Sequence, residues 1–195
     1  MPKVVDHEAR RRELAEAVWR VVQRNGIAGA TVRAVAAEAA TTPGALRHYF
    51  ASQEELIAFA LAAVVDRATA RAQRLTESDP RARAIGVLEQ LLPLDDERRL
   101  EMAVYVEATA RAHASPQLAA IRDEAQAAVR AAVELAIGLL HPDADAGREA
   151  DVLFPLIDGL ALHATQSPGR YPPAHLRRVL RAYLARLDPA GPSAR

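Results

Sequence analysis

Apolar residues recur along this chain at the three- and four-residue spacing of amphipathic helices, and no stretch shows the alternation of a strand. One stripe, within a helix predicted over residues 8–25, consists of Leu14, Val18, Val21 and Val22. Gly26 follows it and can adopt the left-handed conformation that ends many helices. Continued along the chain, the pattern predicts an all-α protein of about nine helices.

Capping residues predict where the next three helices begin. Thr31 is the expected N-cap of a short second helix. Thr42 caps a short third helix with Pro43 as its first residue, where a missing N–H costs nothing, and this helix ends near Phe50. Ser52 with Glu55 forms a capping box for a fourth helix over about residues 53–76.

The remaining helices start at similar signals. Asp79-Pro80, Asp95 and Ser115-Pro116 precede three of them. Another spans about residues 147–166, where Pro155 is expected to bend it. Pro172-Pro173 opens the last helix, which runs to about Leu187, and we expect residues 188–195 to form a frayed tail.

Composition narrows the class of protein. Half of the 195 residues are apolar, so the chain can bury a core, and it contains no Cys for disulfides or thiolate chemistry. No apolar run reaches the about 18 residues that cross a bilayer, and the polar N-terminus lacks the apolar segment of a signal peptide. We therefore expect a cytoplasmic protein that has no membrane partner.

Charge is distributed unevenly although the net charge is zero. Residues 1–50 contain eight basic and five acidic side chains, whereas residues 76–195 carry an excess of acidic ones. A basic N-terminal segment favours contact with a polyanion. Differences of this size are also common by chance.

The second and third predicted helices and the tight turn between them form a candidate helix-turn-helix unit, packed on the first helix. Its second helix can place Thr42, Pro43, Gly44 and Ala45 against base edges in the DNA major groove. Arg33 and Arg47 can bond a base or a phosphate, and His48 and Tyr49 can donate to phosphate oxygens. The alternative is an ordinary helical corner with exposed polar residues.

The segment TVRAVAAEAATTPGALRHYFASQEEL (31–56) resembles the TetR family of bacterial repressors. The close resemblance covers about residues 8–60, and the rest agrees in layout. The segments LLPLDDERRLE and LIDGLALHA are similar to a branch that includes the betaine-responsive repressors. The resemblance implies a DNA-binding domain over residues 1–52 and a helical effector-binding and dimerisation domain over 53–195.

Several site roles are implied by this resemblance. A homodimer would place its two recognition helices in successive major grooves of a palindromic operator. Phosphate contacts would come from Thr31, Tyr49 and Gln53, and base contacts from Arg33, Arg47 and residues 42–45. Three residues depart from the family pattern. Ala40 replaces a turn glycine, Thr41 replaces an apolar residue, and Gln53 stands where a lysine often binds phosphate.

Two further sites are expected in the C-terminal helices. An effector pocket with a mostly apolar lining is predicted from helical spacing, and its residues are Met102, Tyr105, Val106, Thr109, His113, Phe154, Asp158, Leu162 and His163. The same residues could instead be ordinary core. In the TetR family the last two helices form a four-helix bundle with those of the partner, and here the expected interface is Val152, Leu156, Leu160, Leu176, Val179, Leu180, Tyr183 and Leu187.

The resulting hypothesis is a repressor that binds its operator as a homodimer and is released by an unknown small-molecule effector. No cofactor and no metal site are expected. One alternative is a helical dimeric scaffold or small-molecule-binding protein that does not bind DNA. Another is a helical hydrolase or transferase using Asp158, His163 or Ser/His pairs, but no phosphate-binding loop, nucleophile elbow or metal-ligand helix supports it.

Overall fold

The computed structural model describes residues 7–187, and within them every regular element is helical. Two 3₁₀ turns, Ile27–Gly29 and Ala112–Ala114, interrupt the α-helices. The nine α-helices are α1 (His7–Asn25), α2 (Val32–Glu38), α3 (Pro43–Arg47), α4 (Gln53–Gln73), α5 (Pro80–Glu89), α6 (Asp96–Arg111), α7 (Pro116–Leu140), α8 (Ala146–Gln166) and α9 (Pro173–Leu187). The all-α prediction is confirmed, while the predicted tail lies outside the described residues.

Side-chain caps account for most of the helix starts. Each capping oxygen accepts a hydrogen bond from the backbone N–H three residues later, and the caps are Thr31, Thr42, Ser52, Asp79, Asp95, Ser115 and Asp145. Asp145 is the one that the sequence pattern did not single out. The capping box at α4 differs in detail, because the Glu55 carboxylate accepts from the N–H of Ala51 at 2.6 Å and not from that of Ser52.

Two predicted helix ends need correction. The third helix ends at Arg47 and not at Phe50, although the N–H of Phe50 still donates to the carbonyl of Leu46 at 2.9 Å. The fourth helix ends at Gln73, three residues earlier than predicted. Pro155 lies inside α8, which continues on both sides of it, and the bend at this residue stays a prediction.

The chain forms two compact units. The first contains the described residues up to Asp66 together with Ala103–Ala125, and its core includes the whole predicted stripe of α1. The second contains Arg67–Met102 and the described residues from Gln126 onwards, with a core built from α5, α7, α8 and α9. The helices α4, α6 and α7 each contribute residues to both units. The predicted domain boundary after residue 52 stays a prediction.

The turn between α2 and α3 has a Schellman geometry with alanine in the position that favours glycine. The N–H of Thr41 donates to the carbonyl of Ala36 at 2.9 Å, and that of Ala40 donates to Ala37 at 3.3 Å. Ala40 has a φ of 48°, in the left-handed region. The sequence prediction that Ala40 must make this turn without the freedom of glycine is therefore confirmed.

Replacing Ala40 with glycine is expected to stabilise the protein by about 0.5–1 kcal/mol. An alanine in the left-handed conformation is strained by about 1–2 kcal/mol, which glycine would avoid. Glycine also gives the unfolded chain more conformational entropy, and this offsets about half of the stabilisation. Thermal denaturation should show a higher midpoint for Ala40→Gly. The matched control is Ala37→Gly in the exposed interior of α2, which should lower the midpoint. A lower midpoint for Ala40→Gly would contradict the assignment of strain to this residue.

Candidate functional site

The short helix α3 presents its N-terminal end to solvent. Thr42, Pro43, Gly44 and Ala45 are all exposed, whereas Leu46 is fully buried and attaches the helix to the core. Helix α2 packs against both α1 and α3. The small exposed residues leave room for the helix backbone to approach another surface closely.

Two arginines near α3 are available for an external partner. Arg33, in the first turn of α2, and Arg47, in the last turn of α3, are exposed, and neither forms an ion pair with any residue in the described part of the chain. His48 is exposed as well, while Tyr49 is half-buried. The exposure of Arg47 and His48 is as the sequence predicts, and their contact with DNA stays a prediction.

Thr31 and Gln53, which are also predicted to contact phosphate, form hydrogen bonds within the protein as well. The exposed Thr31 uses its hydroxyl to cap α2. Gln53 is half-buried, and its side-chain amide donates to the carbonyl of Ala28 at 3.3 Å, in the turn between α1 and α2. A glutamine here therefore holds the start of α4 against that turn.

Glu38, the one acidic residue of α2, is held by two arginines of α1. Arg20 donates to it at 2.6 Å and Arg24 donates to its other oxygen. These hydrogen bonds hold the pKa of Glu38 below its ordinary value, so the carboxylate stays ionised and paired. The pairing joins α2 to α1 and screens a negative charge that would repel a polyanion.

The predicted effector residues fall in different compact units. Tyr105, Val106, Thr109 and His113 belong to the first, and Met102, Phe154, Asp158, Leu162 and His163 to the second. Most are half-buried. His113 is exposed in a 3₁₀ turn, and His163 is exposed on α8, where it stacks on Tyr171 with ring centroids 5.6 Å apart. The exposure of these two histidines does not support a place in an enclosed pocket.

Thr109 has a feature that sequence reasoning could not reveal. Its hydroxyl oxygen is buried and has no hydrogen-bond partner in the described structure. A buried hydroxyl without a partner loses free energy relative to water, which a ligand group could recover. Among the side chains that the structure describes, in contrast, no group of three or more His, Asp and Glu residues could hold a metal ion.

The predicted dimer interface requires a correction. Leu176 and Leu180 have no exposed surface in the single chain, and Leu160 has only 9%. These three leucines lie in the core of the single chain. Each of α8 and α9 carries an inner and an outer apolar stripe, and the leucines belong to the inner ones. The inner stripe of α9 is completed by Leu184, which the sequence analysis left out.

The outer stripes of the same two helices remain open to solvent. Val152 is 56% exposed. Leu156, one turn later on α8, lines a groove of about 400 Å³ together with residues of α9. The groove is lined by Leu156, Arg178, Val179, Ala182, Tyr183 and Arg186. Leu156, Val179 and Tyr183 were predicted from sequence, and the four-residue spacing of 178, 182 and 186 could have identified the other three. Leu187, also predicted, is half-buried at the end of α9.

Within the described residues no helix has both the length and the apolar character needed to span a bilayer. A capped helix-turn-helix with exposed arginines, followed by further helices with their own core, defines a class of protein: the helical bacterial transcriptional regulators. Residues 14–59 match the family described as "Bacterial regulatory proteins, tetR family". Residues 80–189 match the one described as "BetI-type transcriptional repressor, C-terminal". The chain belongs to the TetR family of transcriptional regulators, with a C-terminal region of the BetI type.

Individual proteins support the same assignment. The HTH-type transcriptional regulator PksA of Bacillus subtilis (strain 168) is 38% identical over 185 residues, and the match covers 92% of this chain and 90% of PksA. The crystal structure of a transcriptional regulator from Rhodococcus sp. Rha1 has a TM-score of 0.77 at 35% identity and covers 90% of this chain and 94% of its own. The multidrug binding protein EbrR, solved with proflavin, has a TM-score of 0.61 at 28% identity, with coverages of 89% and 98%.

Proposed function

We propose that this regulator represses transcription by binding a palindromic operator as a homodimer, and that a small-molecule effector releases it. The observation that carries the proposal is the exposed surface of α3, where Arg47, which pairs with no acidic side chain that the structure describes, stands beside small residues on a capped, core-anchored helix. A helix with this surface fits the DNA major groove, in which arginine bonds guanine edges. Because a repressor must reach the chromosome, this function implies a location in the bacterial cytoplasm.

Each subunit would divide its DNA contacts between bases and phosphates. Residues 42–45 and the two arginines, Arg33 and Arg47, would face base edges. Thr31, His48 and Tyr49 would donate to phosphate oxygens and fix the position of the helix. Gln53 would add at most a neutral hydrogen bond, since its amide already donates to Ala28.

The homodimer would be formed by the outer stripes of α8 and α9. Val152 is an exposed apolar residue, and Leu156 and Val179 are apolar residues that line the groove between α8 and α9. A second copy related by a twofold axis would present the same stripes and cover both. The arginines Arg178 and Arg186 would then lie at the edge of the buried surface.

The effector would bind among the C-terminal helices. EbrR, which is similar to this chain, binds proflavin, and this supports a site for a small organic molecule here. The buried Thr109 hydroxyl is one polar group that such a molecule could satisfy. The effector must bind the DNA-free conformation more tightly than the DNA-bound one in order to cause release. We infer that Asp158 and His163 serve this regulation and not an enzymatic reaction, because the family consists of transcriptional regulators.

Selection from a random-sequence DNA library tests the proposal without knowledge of the target gene. We expect an enriched palindrome whose half-sites are about one helical turn apart, bound with an affinity that falls steeply as salt rises. Footprinting of the intergenic DNA beside the gene should then protect a matching site. A library from which no sequence is enriched would refute operator binding and favour the scaffold alternative.

A further inference from the structure

The segment from the second half of α8 to the end of α9 is strongly basic. Residues 159–187 contain five arginines and two histidines but no aspartate or glutamate, although the net charge of the whole chain is zero. Two of these arginines, Arg177 and Arg181, lie 3.2 and 3.8 Å from the carboxylate of Glu89 on α5. The other three form no ion pair with the acidic side chains that the structure describes, so their positive charge is not compensated within the chain.

Four basic side chains meet around Tyr171, in the turn that joins α8 to α9. His163, in the last turn of α8, stacks on the Tyr171 ring with centroids 5.6 Å apart, and His175, in the first turn of α9, lies edge-on to the ring at 5.4 Å. The guanidinium carbon of Arg170 is 5.9 Å from the ring centroid. Arg178 is 2.9 Å from Nδ1 of His175. We refer to these two histidines and two arginines as the basic corner.

Backbone hydrogen bonds hold the turn that carries the basic corner. The N–H groups of Arg170 and Tyr171 donate to the carbonyl of Ser167 at 3.0 and 3.1 Å, and the N–H of Ser167 donates to the carbonyl of His163 at 2.9 Å. The Tyr171 ring then supports the side chains that pack on it. The corner is therefore already arranged in the free chain, and a ligand would lose little free energy in ordering it.

The hydrogen-bond donors of the basic corner face solvent. His163, Arg170 and Arg178 are exposed, and His175 is half-buried. A guanidinium has N–H donors and no acceptor, so Arg178 donates to Nδ1 of His175, and the proton of the neutral ring is then on Nε2. The side chain of Arg170 donates to no group of the described structure. Both arginines thus have N–H groups free for an external acceptor.

We propose that the basic corner binds a small molecule that carries a phosphate group. Two uncompensated guanidinium groups held so close together repel each other, and a bound anion removes this repulsion. Phosphate suits the corner best, because arginine can bond two of its oxygens at once and the histidines can donate to the third. The inference goes beyond the proposed function and does not depend on DNA binding, and the exposed, charged corner differs from a mostly apolar effector pocket.

Isothermal titration of the full chain with pyrophosphate, at an ionic strength held constant with sodium chloride, tests the proposal. Wild type should show saturable binding. Arg170→Gln/Arg178→Gln should weaken this binding at least about tenfold, since a hydrogen bond between charged groups contributes about that factor. Arg170→Lys/Arg178→Lys keeps both charges without the forked geometry and should lie between the two. Circular dichroism should show an unchanged helical content, because both side chains are exposed.

A matched control removes two other exposed arginines of the same compact unit. Arg83→Gln/Arg148→Gln has the same change in net charge and should bind pyrophosphate as wild type does. No saturable binding by wild type, or equal binding by wild type and Arg170→Gln/Arg178→Gln, would overturn the proposal. In that event, a loss of operator affinity in Arg170→Gln/Arg178→Gln would assign the corner to DNA, and a loss of self-association would assign it to an acidic segment of a second copy.

Discussion

Arg47→Ala should weaken operator binding by about 30-fold to 20,000-fold. An arginine bonded to a base edge contributes about 1–3 kcal/mol to discrimination, and a symmetric dimer loses this contribution twice. The structure supports a direct effect on DNA, because Arg47 is exposed and forms no ion pair with the residues described. For the same reason its removal should leave the melting temperature nearly unchanged. Fluorescence anisotropy with the selected operator measures the loss.

How operator binding changes in Arg47→Ala tells whether Arg47 contacts a base or a phosphate. If Arg47 bonds a base, preference at one position of each half-site should relax, whereas a phosphate contact would lower affinity uniformly and reduce the salt dependence. Arg83→Ala on α5 is the matched control, since it removes the same charge from another exposed position. Equal operator affinity in Arg47→Ala, Arg83→Ala and wild type would exclude α3 as the reader of DNA.

Val152→Glu should dissociate the dimer, raising its dissociation constant more than about a hundredfold. Val152 is 56% exposed in the single chain, and a twofold partner would bury it. A carboxylate buried there without a partner costs about 3–5 kcal/mol, and the symmetry of the interface introduces two of them. Sedimentation equilibrium should show monomers at concentrations where wild type is dimeric. Operator binding should fall with dimerisation while the helical content stays the same.

A nearly identical exposed residue supplies the control. Leu135 on α7 is 54% exposed and lies outside the proposed interface. Leu135→Glu introduces the same charge on the same compact unit, so we expect it to remain dimeric. If Leu135→Glu dissociated while Val152→Glu stayed dimeric, the interface would lie on α7 and not on α8 and α9. If both variants remain dimeric, neither the surface around Val152 nor that around Leu135 forms the dimer interface.

The starts of the helices follow from the sequence because a cap is a local interaction. The Thr42 hydroxyl needs only the N–H of Ala45, three residues away, and Pro43 supplies the fitting φ angle without help from the rest of the fold. Ala40 was identified in the same way, because the backbone of a helix end requires a left-handed residue whatever surrounds it. The ends of α3 and α4 were each predicted three residues too late, because no Gly or Pro directly after either helix marks its end in the sequence.

The apolar stripes show where sequence reasoning stops. Leu176 and Leu180 have the same spacing and chemistry as Val179 and Tyr183, and periodicity cannot assign one pair to the subunit core and the other to a surface. The choice depends on where α5, α7 and α8 lie around α9. Only the tertiary structure therefore placed the leucines inside and left Val152 and the groove between α8 and α9 open.

For the charged residues too, some features follow from the sequence and others only from the tertiary structure. The sequence by itself determined an all-α chain with a capped helix-turn-helix and exposed arginines at residues 33 and 47, because caps and periodicity act between near neighbours. Only the tertiary structure paired Arg71 with Glu101, 30 residues apart, and Glu38 with the arginines of α1. Hydrogen bonds across such separations depend on how whole helices pack, and residue spacing contains no record of that packing.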